Sequence, residues 1–285
     1  MKFRFAAIST LLVAAISTAA VLLAQNRPTA VATPRLYIFD NGEIAGLDPK
    51  LFGFSREELK EVDFVNVSYL VVHPRGTVMF DTGGIGDEHF PADGSPAKEG
   101  VMSASKKLVP QMAAAGYKPS DVTYLVLSHY HSDHTGNANL FAGATWIVQK
   151  AERDYMFQDK PAGIIQPATY SALRNAKTKV LNNEDFDVFG DGTVVIKSTP
   201  GHTPGHQVMV VKLPKFGPVI LSGDLYHYPE EITTGKTPAF EFDAAMSAKS
   251  RAAIQAFVKE TGAKLWIEHD TLTHAALPKA PQFVE

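Results

Sequence analysis

Ser128-His129-Tyr130-His131-Ser132-Asp133-His134-Thr135-Gly136 holds four metal-ligand side chains, His129, His131, Asp133 and His134, within six consecutive positions. The stretch follows Thr123-Tyr124-Leu125-Val126-Leu127. The β-branched and aromatic content of that run, and the turn residues around it, predict a buried strand. Side chains alternate between faces along a strand, so four ligands this close cannot converge on one. They can converge from a tight loop at the strand's end. Imidazole and carboxylate are ligands that a borderline cation such as zinc accepts.

Further ligand-type residues recur downstream in the same setting. Thr199-Pro200-Gly201-His202-Thr203-Pro204-Gly205-His206 is a turn dense in Gly and Pro that carries two more histidines. The apolar run Pro218-Val219-Ile220-Leu221 leads to Asp224, and Leu265-Trp266-Ile267 leads through Glu268 to His269. Each polar residue stands where an apolar run ends, so the loops are expected to gather around one rim.

Asp81-Thr82-Gly83, the His129–His134 stretch, His202, Asp224 and His269, in this order, resemble the metallo-β-lactamase fold superfamily over roughly residues 35 to 285. The spacing and the Trp266-Ile267-Glu268-His269-Asp270 run look most like N-acyl homoserine lactonases and related lactone hydrolases. The resemblance implies an α/β fold, a four-layer αββα sandwich. It also implies two zinc ions per chain, with other divalent metals allowed. One would be held by His129, His131 and His202, the other by Asp133, His134 and His269. Asp224 would bridge them, and Asp81 would support the loop from behind. The implied reaction is hydrolytic opening of a lactone ring, with N-acyl homoserine lactones leading and quorum quenching as the role. A water shared by the two ions, its pKa lowered to about 7, would be the attacking hydroxide. Asp133 and Asp224 are the carboxylates expected at that chemistry.

His227 lies three residues past Asp224, where several related lactonases carry a tyrosine that assists at the substrate carbonyl. It is the candidate assistant here, with Tyr226 and Tyr228 flanking it. Ser132 stands where many homoserine-lactone hydrolases have an aromatic residue, so Phe52, Phe54 or Phe90 is expected to supply the acyl-chain contact. His206 is read as support for its turn, and His73, His89 and His274 as packing or surface residues.

Composition narrows the alternatives. The chain has 285 residues, 45% of them hydrophobic, which is enough for a sizeable core. A net charge of −3 without a basic run counts against a nucleic-acid partner, and none is expected. The absence of cysteine excludes thiolate-bound zinc, and with it the thiolate-using β-lactamase subclasses. An organophosphate triester hydrolase and a β-lactamase-like hydrolase on the same site are the rival readings. The expected partner is a small lactone or ester substrate, and a homodimer is allowed.

Residues 1–32 read as a targeting segment: Lys2 and Arg4, then an apolar stretch from Phe5 to Ala24, then Ala30-Val31-Ala32 as a cleavage site. Residues 33–285 form the hydrolase domain, expected to be periplasmic or secreted. The apolar stretch nears the roughly 20 residues that span a bilayer, so an uncleaved membrane anchor is the alternative. Within the domain, strands are expected at 36–39, 65–73 and 77–80, with long irregular loops at 40–64 and 84–100. A helix is expected over 103–115, opened by a serine cap and interrupted by Pro110. Residues 160–178 are expected to give helical cover. A last helix runs from its Asp243 cap to Gly262.

Overall fold

A computed structural model describes residues 31–159 and 165–285. The first half supplies strands β1 (Arg35–Ile44), β2 (Phe64–His73), β3 (Gly76–Phe80), β4 (Ala97–Glu99), β5 (Met102–Ala104), β6 (Tyr124–Val126) and β7 (Thr145–Gln149). The second supplies β8 (Thr178–Leu181), β9 (Phe186–Asp187), β10 (Val194–Ser198), β11 (Gln207–Leu213), β12 (Gly217–Leu221), β13 (Lys264–Trp266) and β14 (Phe283–Val284). The α-helices are α1 (Leu108–Ala114), α2 (Ser132–Thr135), α3 (Lys150–Met156), α4 (Glu230–Thr234), α5 (Ala244–Thr261) and α6 (Thr271–Ala276).

Two sheets form. One runs β4-β5-β1-β2-β3-β6-β7-β8 with β14 added on β1, and the other runs β13-β12-β11-β10-β9. β2 shows why they stack. Val67, Tyr69 and Val71 join a core cluster with Met209, Leu221 and Trp266 of the second sheet. Leu70 and Val72, pointing the other way, join Met112 of α1 and Tyr170. A strand buried on both faces carries apolar residues without alternation, as Tyr69–Val72 does. The far face of the second sheet packs Val208, Val210 and Ile220 against Ile254 of α5. The result is the four-layer αββα sandwich expected from the resemblance.

Parallel pairing is what creates the rim. Phe80 of β3 pairs with Val126 of β6, and Leu221 of β12 with Trp266 of β13, each in parallel. Strands paired this way end side by side, so Asp81 emerges beside Ser128-His129 and Asp224 beside His269. The turns must then approach closely. Gly223 has φ +46°, and a Cβ there would sit 2.5 Å from Ser128 Cβ, so only glycine fits between the two loops.

Three expectations change. β1 continues to Ile44 through a register shift between Asp40 and Glu43, and shortens the first long loop. The helix expected from Ser103 starts at Leu108 instead, because Met102–Ala104 pairs as a strand with β4 and β1. Its cap is distant in sequence: the Asp87 carboxylate accepts from the Leu108 and Val109 amides at 2.7 and 2.9 Å. Pro110 therefore falls in the first turn, where an N–H has no helical acceptor to lose. In place of helical cover over 160–178, Pro167–Thr169 and Ser171–Asn175 are short 3-10 turns, and residues 160–164 lie outside the described residues.

The targeting segment also lies outside the described residues up to position 30. Among the described residues no helix is long and apolar enough to cross a membrane. Val31 is buried in the cluster that holds Tyr37 and Leu70. Burying a valine is worth about 1.5 kcal/mol. A chain starting at Val31 should therefore melt about 3–6 °C above one starting at Thr33, both folded, as read by scanning calorimetry.

Candidate metal centre

Five segments deliver their polar side chains to the rim where both sheets end. His129 is fully buried, and its Nδ1 lies 2.9 Å from Ser128 Oγ. That leaves Nε2 facing His131 Nδ1 at 2.8 Å and Asp224 Oδ2 at 3.5 Å. His202 Nε2 stands 3.1 Å from the same His131 nitrogen and 3.2 Å from Asp224 Oδ2. Three imidazole nitrogens and a carboxylate oxygen thus surround one point. Across the carboxylate, Asp224 Oδ1 lies 3.1 Å from both His134 Nε2 and His269 Nε2. Asp133 Oδ2 is 3.4 Å from each of those nitrogens. The two groups of ligand atoms, His129/His131/His202/Asp224 and Asp133/His134/Asp224/His269, are each compact enough for one ion.

The outer ring nitrogens are held from behind. His269 Nδ1 meets the Val65 carbonyl at 3.0 Å and can only donate to it. His134 Nδ1 meets Asp81 Oδ2 at 3.0 Å, and Asp81 Oδ1 also accepts the Ser128 amide. Asp81 adopts φ 55°, an uncommon conformation for a residue with a side chain. Fixing the proton on Nδ1 turns each Nε2 lone pair inward, as metal-binding histidines require. His206 is a support, as expected. Its Nε2 accepts the Asp224 amide at 3.1 Å and its Nδ1 lies 2.9 Å from Thr199 Oγ1.

Electrostatics test whether cations fit. Burial disfavours charge on Asp224, yet His134, His269, His227 and His129 outweigh it and hold the carboxyl well below its usual range. Burial also opposes charge on His202 and His269. Hydrogen bonds and attraction from Asp224 reverse this, with Glu241 helping His202 and Asp133 helping His269, to about 9 and about 10. Burial and the neighbouring His202 push His131 down to about 3. Ionised carboxylates are thus buried beside imidazoles that need positive charge among them, while His134 Nε2 and Asp224 Oδ1 have no hydrogen-bond partner. An all-nitrogen-and-oxygen donor set with orphaned inward lone pairs suits two divalent cations.

The seven residues expected as ligands, His129, His131, Asp133, His134, His202, Asp224 and His269, are all brought together. His227 joins them, with Nε2 3.2 Å from Asp224 Oδ2. Phe52 lies against it, ring centroids 5.0 Å apart. Phe54 instead packs on Tyr228, and Phe90 beside Ile85 and Ala97, away from the site. His73 is buried against Phe189 and Asp191, His274 against Tyr69, and exposed His89 faces Glu99.

Two supporting residues escape the sequence reading. Glu152 of α3 accepts from Tyr130 N at 2.9 Å, and from Thr203 Oγ1 and Gly205 N at 2.8 Å each, clamping the His129 loop to the His202 turn. Glu268 Oε1 lies 3.3 Å from His134 Nδ1, and burial beside Asp81 pushes the Glu268 carboxyl above its usual range. Glu268 carried a signal, an acid directly after an apolar run. Glu152 carried none.

A family model described as the metallo-beta-lactamase superfamily matches residues 62–270. The N-acyl homoserine lactonase AttM of Azorhizobium caulinodans is 31% identical over 235 residues, 76% of this chain and 86% of that protein. An N-acyl homoserine lactonase of Bacillus cereus is 26% identical over 228 residues, 76% and 85% of the two chains. Among solved structures, an N-acyl homoserine lactone hydrolase with N-hexanoyl-L-homoserine at its catalytic metal center has a TM-score of 0.72 at 22% identity, covering 89% of this chain and 100% of that one. AidC, a dizinc quorum-quenching lactonase, has a TM-score of 0.65 at 20% identity, covering 90% and 95%. At these identities the structural likeness speaks for the fold.

Purified protein should contain two divalent ions per chain by inductively coupled plasma mass spectrometry. Because Asp224 faces both ligand groups, Asp224→Ala should lower occupancy of both together with turnover. Full activity with one tightly held ion would contradict the two-cation arrangement.

Proposed function

The chain belongs to the metallo-beta-lactamase superfamily and is a metal-dependent hydrolase; from that premise we propose that it opens lactone rings at a pair of zinc ions, with N-acyl homoserine lactones as leading substrates and quorum quenching as the outcome. The relatives that cover most of this chain are named for that activity. The observation that carries the reading is a trough of about 240 Å³ opening onto the ligand cluster. Ile44, Leu47, Phe52, Phe64, Met102 and Phe240 form its apolar walls, and Asp133, Asp224, His227 and His269 its floor. An acyl chain in the walls places the adjoining ring carbonyl at the floor. Ser132 also lines it, so the aromatic contact absent at that position comes from Phe52, Phe64 and Phe240 of other segments.

His129, His131, His202 and Asp224 would hold one ion, and Asp133, His134, Asp224 and His269 the other. Ions held there supply Lewis acidity and a water acidified from 15.7 toward about 7. The chain's own residues do the rest. Asp224 presents one oxygen to each ligand group, fixing their separation. Asp133, with a side chain 20% exposed, is the ligand on the trough side. His227 offers a ring nitrogen where the carbonyl and the departing ring oxygen lie, and can hold or give a proton there. Phe52 and Phe64, both buried against His227, keep bulk water off that nitrogen. The basic start and apolar run of residues 1–32 support export, so the reaction is placed in the periplasm or outside the cell, or at the membrane if the segment is retained.

Ring opening releases a carboxylic acid, so turnover should appear as proton release in weak buffer. Each acyl methylene entering the trough is worth about 0.8 kcal/mol, roughly fourfold in KM, with kcat little changed, until the walls are filled. Efficient turnover of a phosphotriester or a cephalosporin with every lactone untouched would overturn the assignment.

A further inference from the structure

Behind the centre, one buried guanidinium serves two buried carboxylates. Arg251 on α5 donates from Nε to the Leu225 carbonyl, from Nη1 to the Lys236 carbonyl and from Nη2 to Glu231 Oε2, at 2.8, 2.8 and 2.7 Å. Nη2 also stands 3.7 Å from Glu241 Oε1, and the guanidinium lies over the Tyr226 ring at 4.6 Å. Glu231 turns its second oxygen to His227 Nδ1 at 3.6 Å, and Glu241 Oε1 stands 3.8 Å from His202 Nδ1. Those facing atoms, His227 Nδ1, His202 Nδ1 and Oε1 of each glutamate, have no hydrogen-bond partner. Both histidines turn their Nε2 to Asp224 Oδ2, each at 3.2 Å.

Two carboxylates against one guanidinium leave one negative charge in excess. Buried beside α5, that charge needs N–H donors, and the two Nδ1 atoms are the groups it faces. We propose that Arg251, Glu231 and Glu241 form a positioning unit that sets the tautomer and ring orientation of His227 and His202 from behind. Glu231 holds the His227 Nδ1–H, which leaves Nε2 to take up or give a proton on the Asp224 side, and Glu241 holds the Nδ1–H of His202. Arg251 holds both acids and, through Leu225 and Lys236, the loop carrying them. Only the role of His227 at a carbonyl rests on the lactone-hydrolase reading. The placement of both rings does not.

The test uses the metal-loaded enzyme labelled with ¹⁵N-histidine. The His227 Nδ1–H resonance is identified by its loss in His227→Phe. Glu231→Gln keeps an acceptor for Arg251 but turns an amide toward His227. It should shift or abolish that resonance, leave two ions per chain, and lower kcat about 10- to 100-fold with KM within about twofold. Added to His227→Phe, it should cost nothing more in kcat. Glu241→Gln should spare the His227 resonance and weaken metal retention against a chelator about tenfold. An unmoved resonance in folded Glu231→Gln, or a loss that adds in full to that of His227→Phe, overturns the proposal. A wild-type enzyme that hydrolyses no lactone overturns the functional reading alone, because the resonance and the chelator competition still decide this one.

Discussion

Asp224 is a buried carboxylate with five imidazole nitrogens around it: His134 and His269 at 3.1 Å, His202 and His227 at 3.2 Å, and His129 at 3.5 Å. The arrangement has a cost, since an ionised acid out of water must be matched by charge and by hydrogen bonds. Asp133 and Asp81 stand close by and add to it. Divalent cations among the ligand atoms would settle this excess of negative charge, so the polar centre and its affinity for metal are one physical fact.

The fold answers that demand by rigidity. Each residue near Asp224 follows a strand whose own position is set by the core between the sheets, so a loop of only a few residues has little freedom left. Where the loops touch, they are tied again. Glu152 joins the His129 loop to the His202 turn, and His206 holds the Asp224 amide. Asp81 joins the end of β3 to the Ser128 amide and the His134 ring. Glu152 and His206 hold the loops in place, and Asp81 decides which nitrogen of His134 points inward.

The trough shows a different division of labour. Its polar floor comes from the strand ends, and its apolar walls from β1, the start of β2, the Leu47–Phe52 segment, the Met102 strand and the Phe240 loop. Floor and walls therefore belong to separate stretches of chain. A family of such enzymes can alter the group it grips through wall residues that ligate nothing, although Phe64, stacked on His269 at 4.7 Å, and Phe240, edge-on to His202 at 5.9 Å, also brace ligand rings.

What the sequence determined by itself was local. Four ligand-type residues within six positions after an apolar run can meet only in a loop at a strand end, and the same logic located His202, Asp224 and His269. Apolar, β-branched runs and the Asp243–Gly262 signals marked strands and the long helix because those signals lie in neighbouring residues. The tertiary structure alone decided contacts between distant residues. Asp87 caps a helix 21 positions away, which moved that helix off Ser103, and Glu152 reaches Gly205 across 53 positions. Arg251 finds Glu231 from another helix, while Phe54 and Phe90 turn away from the trough and Phe64 and Phe240 line it. A lone acid or aromatic side chain has no periodicity to betray its partner. Its role depends on which surfaces the two sheets bring together, and that is settled only when the core closes.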